Sequence, residues 1–311
     1  MLMACGDALI DFMPTRSADG GEAIVPVVGG SCLNVAIGLA RLGAPTGFIG
    51  GISTDMFGQM IVDHAAASNV GLGLATRSDD QSTLAFVRID AGEAQYAFYD
   101  AGTAAANWTY RRGTIPFATV DAVHVGSTTL ISEQGAAETL ALIADARSRS
   151  TIAFDPNCRP NLVKDKPGYL ARMAEFAAIA DLVKMSDVDF AYLFGDEPYR
   201  QRAEALLGQG AALVVITRGQ QGAVAWHTAA GRVEVAAPQV AVVDTIGAGD
   251  SFQAGMLFAL HRQDRLARAR LKSISEDELR RALAFAAGCA AVTCTRPGAD
   301  PPWRHEVADI A

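Results

Sequence analysis

No C-x-x-C pair occurs anywhere in the 311 residues, and the five cysteines (Cys5, Cys32, Cys158, Cys289, Cys294) are odd in number and scattered. Disulfide frameworks and zinc sites both need paired spacings, so neither is indicated and a reducing cytoplasm fits. Basic residues are outnumbered, 26 Lys and Arg against 34 Asp and Glu, for a net charge of −8. A nucleic-acid partner, which needs clustered cations, is therefore not expected. The longest apolar stretch, about Ala282 to Val292, is too short to cross a bilayer and reads as a buried helix, so no membrane partner is expected either. The first residues, MLMACGDALIDF, lack a basic segment and already carry Asp7 and Asp11, which argues against a signal peptide. Several catalytic signatures are missing as well. No G-x-G-x-x-G follows the first apolar run, no G-x-x-x-x-G-K-[ST] and no G-x-S-x-G is present, and the five histidines form no i, i+3 or i, i+4 pair. A dinucleotide fold, a P-loop, a serine-hydrolase elbow and a dedicated zinc site are set aside on those grounds.

What is present is an ordinary globular composition, 50% hydrophobic and 19% charged, arranged as alternating strands and helices. Leu2 to Ile10 reads as a buried strand delivering Asp11 at its carboxyl end, either as a ligand-binding carboxylate, since open α/β sheets bind ligands there, or as a turn residue before Pro14. A second strand covers residues 22–28, and Gly29 and Gly30 then break the chain before a helix with Ser31 as its cap and Gly43 past its end. Asn34 falls in the first turn of that helix, either as local capping or as an amide able to hold two hydroxyls. Phe48 to Ile52 and the helix Phe57 to Ala67 follow. Ser82 to Tyr99 alternates around a turn at Asp90-Ala91-Gly92-Glu93, an antiparallel hairpin. From residue 120 the βα rhythm is regular. Strands are expected at Val120 to Val125, Thr151 to Asp155, Leu182 to Lys184 and Ala212 to Thr217, with a hairpin over Gly222 to Ala236 and a final helix from Glu276 to Cys294. That rhythm predicts a mostly parallel sheet covered on both faces, in one domain, with residues about 12–28 and 82–102 forming a small separate sheet, a lid.

One stretch organises the rest, Asp244 to Leu257, DTIGAGDSFQAGML. The apolar run Val240 to Val243 reads as a strand, Gly247 and Gly249 as a tight turn, and Asp250 as the opening of a helix. Unpaired amides at a helix start form an anion site, so Asp250 is either a plain N-cap or a carboxylate standing beside a bound phosphate. Two Gly-rich, anion-capable turns with carboxylates and an amide nearby suit a hydroxylated substrate meeting a polyphosphate. Phosphoryl transfer through a loose transition state needs only a weak base, a role open to Asp250.

GGSCLNVAIGLARLG with FIGGISTDMFG, and DTIGAGDSFQAG near the C-terminus, closely resemble the two signatures of the ribokinase-like (phosphofructokinase B type) carbohydrate kinases. The resemblance covers nearly the whole chain. FDPNCRPNL and YAFYDAGTAA look most like bacterial fructokinases and 2-keto-3-deoxygluconate kinases within that family. It implies an αβα sandwich with a β-sheet lid and an ATP-dependent sugar kinase, with D-fructose converted to D-fructose 6-phosphate as the leading reaction. Ribokinase, adenosine kinase and 2-keto-3-deoxygluconate kinase activities are the family alternatives, and a non-catalytic sugar-binding regulator is the alternative of another class. Carried over, the resemblance makes Asp250 the base and the amides of Gly247, Ala248 and Gly249 the anion hole. Asp11, Gly30 and Asn34 match positions holding sugar hydroxyls, with Gly29 and Gly30 as the lid hinge. Thr217, Gly219 and Gly222 match the nucleotide loop, and Arg159 and Lys184 are the cations expected to face phosphate. Asp244 matches the start of a monovalent-cation loop, which implies K⁺, and Mg²⁺ is expected with ATP. Where the family usually shows N-x-x-E, linked to water-mediated Mg²⁺ handling, this chain has Ser186 and Asp189. Family members often dimerise through their lids, and the edge left by residues 83–99 offers such a surface.

Overall fold

The central strands are built from unbroken apolar runs, as a sheet covered on both faces requires. All of Leu2–Cys5 and Leu213 to Ile216 are buried. The structure, a computed structural model, describes residues 1–90 and 93–307. In chain order β1 (Leu2–Cys5), β2 (Leu9–Arg16) and β3 (Glu22–Gly29) lead into α1 (Ser31–Arg41) and β4 (Thr46–Ile49). Next come β5 (Gly51–Ser53), α2 (Met56–Ala67), β6 (Thr76–Ser78), β7 (Leu84–Asp90) and β8 (Glu93–Tyr99). The regular part holds β9 (Ala122–Gly126), α3 (Glu133–Ala146), β10 (Thr151–Asp155), α4 (Lys166–Ile179) and β11 (Leu182–Ser186). It continues with α5 (Asp187–Phe194), α6 (Tyr199–Gln209), β12 (Leu213–Thr217), β13 (Ala223–His227) and β14 (Gly231–Val235). The chain then runs through α7 (Ala248–Arg262), α8 (Arg268–Leu271) and α9 (Glu276–Cys294).

The main sheet has the order β14-β13-β12-β11-β10-β9-β1-β4. Six of its strands are parallel, and β13 and β14 close one edge as an antiparallel hairpin. Alternate residues of each strand serve opposite cores. Leu2 and Ala4 face the cluster containing α1, α7 and α9, while Met3 and Cys5 face the one containing α3, α4 and α6. The chain leaves β1 for one side of the sheet and later returns to β9 on the other side of β1. That reversal opens a crevice beyond the strands' carboxyl ends. The second sheet, β3-β2-β7-β8, stands apart from the first and matches the expected small sheet.

The sequence expectations need four corrections. Leu2 to Ile10 is not one strand: the chain turns at Gly6 (φ 151°), so β1 lies in the main sheet and β2 in the small one. A side chain at Gly6 would meet Cys32 Sγ at 2.5 Å, which is why the break occurs at a glycine. Asp11 consequently sits inside β2, paired with Val27 and Ala85, rather than at the end of β1. The run Phe48 to Ile52 likewise divides, its second half pairing with Thr76–Ser78. Val240 to Val243 form no strand; Val242 and Val243 are 51% and 61% exposed, and the apolar run has no sheet neighbour to bury it. The turn expected at Asp90-Ala91-Gly92-Glu93 has its two central residues outside the described residues.

Candidate active site

Most helices here start on a side-chain cap. Asp55 caps α2, Ser132 caps α3, and Ser275 with Glu278 forms a capping box on α9. The two helices that meet at the crevice do not. α1 starts from Gly30 (φ 105°) and α7 from Gly247 (φ 74°), each without a side-chain cap among the described residues. A Cβ at Gly30 would lie 2.6 Å from Asp7 O, and one at Gly247 would lie 2.6 Å from Ala299 Cβ, so both turns need glycine. Ser31 and Asp250 are thus not caps, contrary to one reading of each, but lie in the first turns of their helices.

Their side chains meet instead across the two helices. Ser31 Oγ donates to Asp250 Oδ1 at 2.6 Å and Asn34 Nδ2 donates to Asp250 Oδ2 at 2.9 Å. Close packing of small residues sets this approach, because a Cβ on Gly38 of α1 would lie 2.7 Å from Ala254 Cβ of α7, and α7 is seated on α9 in the same way, a Cβ on Gly255 lying 2.9 Å from Ala286 Cα. Asp250 is 7% exposed. Burial pushes its pKa up, and the bonds from Ser31 and Asn34 and the charges of Lys184 and Arg159 pull it back. Asn34 Oδ1 is buried and has no partner among the described residues.

These groups line a cavity of about 80 Å³ under the small sheet, with Asp7, Asp11, Ser127 and Arg159 on its wall. It shares Asp7, Phe98 and Thr128 with an outer chamber of about 470 Å³. Asp11 lies against the paired glycines, since a Cβ on Gly29 would come within 2.1 Å of Asp11 Oδ2. Burial pushes the Asp11 carboxyl up to about 6; Arg159 opposes this, and Asp7 and Asp250 add to it. Asp7, 4% exposed, ties the wall together by accepting from Cys32 N at 2.9 Å, Ser127 Oγ at 2.8 Å and Thr128 Oγ1 at 3.0 Å.

The remaining expected residues lie around this centre rather than in it. Lys184 Nζ is buried on Asp155 Oδ2 at 2.6 Å and on Gly249 O at 3.2 Å, directly behind the turn that starts α7. Burial pulls its pKa down, but Asp155, Asp250 and Asp189 outweigh that and hold it above the ordinary lysine value. Thr217 ends β12, and Gly219 (φ 52°) and Gly222 (φ 81°) shape the turn after it. None of the three lines the Asp250 cavity. Ala248 N donates to Thr245 O at 3.2 Å. Asp244 Oδ1 accepts from Ile246 N and Oδ2 from Gly298 N, which fixes the loop ahead of α7. Ser186 and Asp189 form the capping box of α5, with Asp189 Oδ1 also accepting from Cys158 N at 2.8 Å. Two residues escaped the sequence reading, Asp7 on the cavity wall and Asn157, which bonds to Ser31 and Asp250 from outside it. Asp7 drew notice only as a charge near the N-terminus, and Asn157 sits within the quoted FDPNCRPNL without a role.

Two uncapped helix starts thus meet at one buried carboxylate, beneath a small sheet and at a switch point of an αβα sandwich, a candidate phosphotransfer site. The chain belongs to the pfkB family of carbohydrate kinases, which it matches over residues 1–306, and it is a sugar phosphotransferase. A fructokinase of Rhizobium leguminosarum bv. trifolii is 39% identical over 281 residues, covering 90% of this chain and 86% of that protein. Probable fructokinase-7 of Arabidopsis thaliana is 31% identical, covering 99% of this chain and 92% of its own. The crystal structure of a fructokinase with bound ATP from Xylella fastidiosa superposes with a TM-score of 0.91 at 27% identity, covering 99% of this chain and 97% of that one.

Proposed function

We propose that the protein transfers the γ-phosphoryl group of ATP to the primary hydroxyl of D-fructose, giving D-fructose 6-phosphate and ADP. The observation that carries this reading is the buried Asp250 carboxylate, held between the uncapped starts of α1 and α7 in a chain similar to fructokinases over 90% of its length. Asp250 takes the hydroxyl proton as the sugar oxygen bonds to phosphorus and the bond to the bridging oxygen of ADP breaks. Charge on the transferred group falls to the amides of Gly247 and Gly249, and to that of Ala248 once it leaves Thr245 O, with Arg159 reaching in from the cavity wall. Lys184 acts from behind, its ammonium lending positive potential through Gly249 rather than touching phosphate. Asp11 and the unpartnered Asn34 Oδ1 accept sugar hydroxyls, and the small sheet closes as a lid about Gly29 and Gly30. ATP lies along Thr217, Gly219 and Gly222.

Magnesium fits as a companion of the nucleotide. Among the described residues no group of three or more His, Cys, Asp or Glu is placed to hold a metal, and both Asp189 oxygens already accept protein donors. Bound Mg²⁺ would neutralise charge on the phosphates of ATP. Each Asp244 oxygen keeps lone-pair capacity beyond its single amide bond, which leaves it able to help seat K⁺. The five free thiols suit a reducing cytoplasm.

A coupled ADP-release assay over fructose, ribose, tagatose, 2-keto-3-deoxygluconate and adenosine, with and without potassium, tests the assignment. Fructose is expected to give the highest kcat/KM, and a clear preference for another acceptor would replace it. Asp250→Asn should keep sugar and ATP binding while lowering kcat by at least about 10²-fold. Full activity in that variant would remove Asp250 as the base.

A further inference from the structure

A buried carboxylate serving as base must be kept ionised and correctly aimed until the hydroxyl arrives. Asp250 is surrounded by charges of both signs, Arg159 and Lys184 against Asp7, Asp11 and Asp155, so its state depends on more than the two bonds from α1. A third donor reaches it from the loop after β10. Asn157 Nδ2 lies 3.3 Å from Asp250 Oδ1 and 2.5 Å from Ser31 Oγ, whose hydroxyl donates to that same oxygen. On its other side Asn157 Oδ1 accepts from Arg159 Nη1 at 2.5 Å.

The polarity of this chain is fixed by its ends. A guanidinium can only donate and a carboxylate can only accept, so the amide between them must turn Oδ1 to Arg159 and Nδ2 toward Ser31 and Asp250. Every hydrogen in the series Arg159, Asn157, Ser31, Asp250 therefore points toward the base. Hydrogen bonds aligned this way in a low-dielectric site polarise one another. The backbone is bent to make this possible. Asn157 holds φ at 39°, left-handed for a non-glycine residue, with its N–H on Asp155 Oδ1 at 3.1 Å.

We propose that Asn157 is a positioning residue for phosphotransfer, holding the Asp250 carboxylate ionised and oriented through Ser31 and coupling it to Arg159. The inference rests on the reading of Asp250 as the base. When Arg159 turns to an arriving phosphate, the amide loses its polarising partner, the Ser31 bond slackens, and Asp250 gains basicity at the moment a proton must be taken.

The readout is the acid limb of the pH profile of kcat/KM for fructose at saturating ATP. Losing a donor to a carboxylate disfavours the charged form, so the limb moves to higher pH. Asn157→Gly keeps the left-handed backbone without the amide. Asn157→Asp keeps both the backbone and the Arg159 bond but replaces the donating nitrogen by an acceptor. The limb should rise by up to about one pH unit in Asn157→Gly, the scale of one charge-assisted bond, and further in Asn157→Asp. Ser31→Ala should raise it too, and Ser31→Thr, which keeps the hydroxyl, should restore it. A limb unmoved by either Asn157 variant overturns the proposal, and so does one moved by Asn157→Asp alone, which would be bare charge repulsion. If Asn157→Gly does not fold, an unmoved limb in Asn157→Asp or Ser31→Ala overturns it. Asp250→Asn separates the two failures. An active Asp250→Asn enzyme sinks the base, whereas an inactive one beside unmoved limbs sinks only the role of Asn157.

Discussion

Asp11 shows how a single position changes its chemistry with its surroundings. Placed inside β2 and buried against Gly29, its carboxyl is pushed up to about 6. Above that pH it is an anion able to accept sugar hydroxyls, and below it the acceptor is protonated and those bonds weaken. Fructose affinity measured by calorimetry without nucleotide should therefore fall as the pH drops through about 6. Asp11→Asn should flatten that dependence and weaken binding at pH 8 by about tenfold or more, the worth of a hydrogen bond to a charged group. A flat wild-type profile would put Asp11 out of contact with the sugar. Its candidacy was legible in the sequence, but its address was not, because Gly6 divides an apolar run that reads as continuous. Asn157 was hidden for another reason. Arg159 is a local partner, but the bond that brings Asn157 to the site goes to Ser31, 126 residues away, which no local spacing reveals.

Among the elements, α5 carries a departure from the family pattern. Ser186 and Asp189 make a reciprocal capping box, and Asp189 also holds Cys158 N, so the pair has a structural use in this chain. Ser186→Ala should lower unfolding free energy in urea by about 1 kcal/mol while leaving the magnesium dependence of kcat unchanged. A raised magnesium requirement in that variant would return the pair to the metal's hydration shell. Elements with strong periodicity or clear caps, such as β12 and α9, were read nearly to the residue. The stretch 240–243 was misread because β-forming residues make a strand only where a neighbour supplies the other half of the ladder. The uncapped starts of α1 and α7 were half legible: the glycines were plain, but what their first turns would face depended on packing between distant segments.

At the scale of the whole molecule the small sheet leaves apolar surface uncovered. Ile24 and Val25 on β3 are 58% and 43% exposed, and Tyr99 on β8 is 62% exposed, so both edge strands present side chains to solvent. We propose that two copies pair through this sheet. Sedimentation should show a dimer that Ile24→Lys converts to a monomer; a wild-type monomer at all concentrations would exclude it. The overall architecture was the most legible level of all, since the βα rhythm fixes a parallel sheet before any contact is known.

The bond between Ser31 and Asp250 spans 219 residues of sequence, and α7 is braced by α9, which follows it. During synthesis Ser31 therefore emerges long before its partner Asp250 has been made. With Asp250 as the proposed base, a growing chain cannot spend ATP until α7, and the α9 helix that braces it, have been made. Such a catalyst switches on once, at the end of its own assembly.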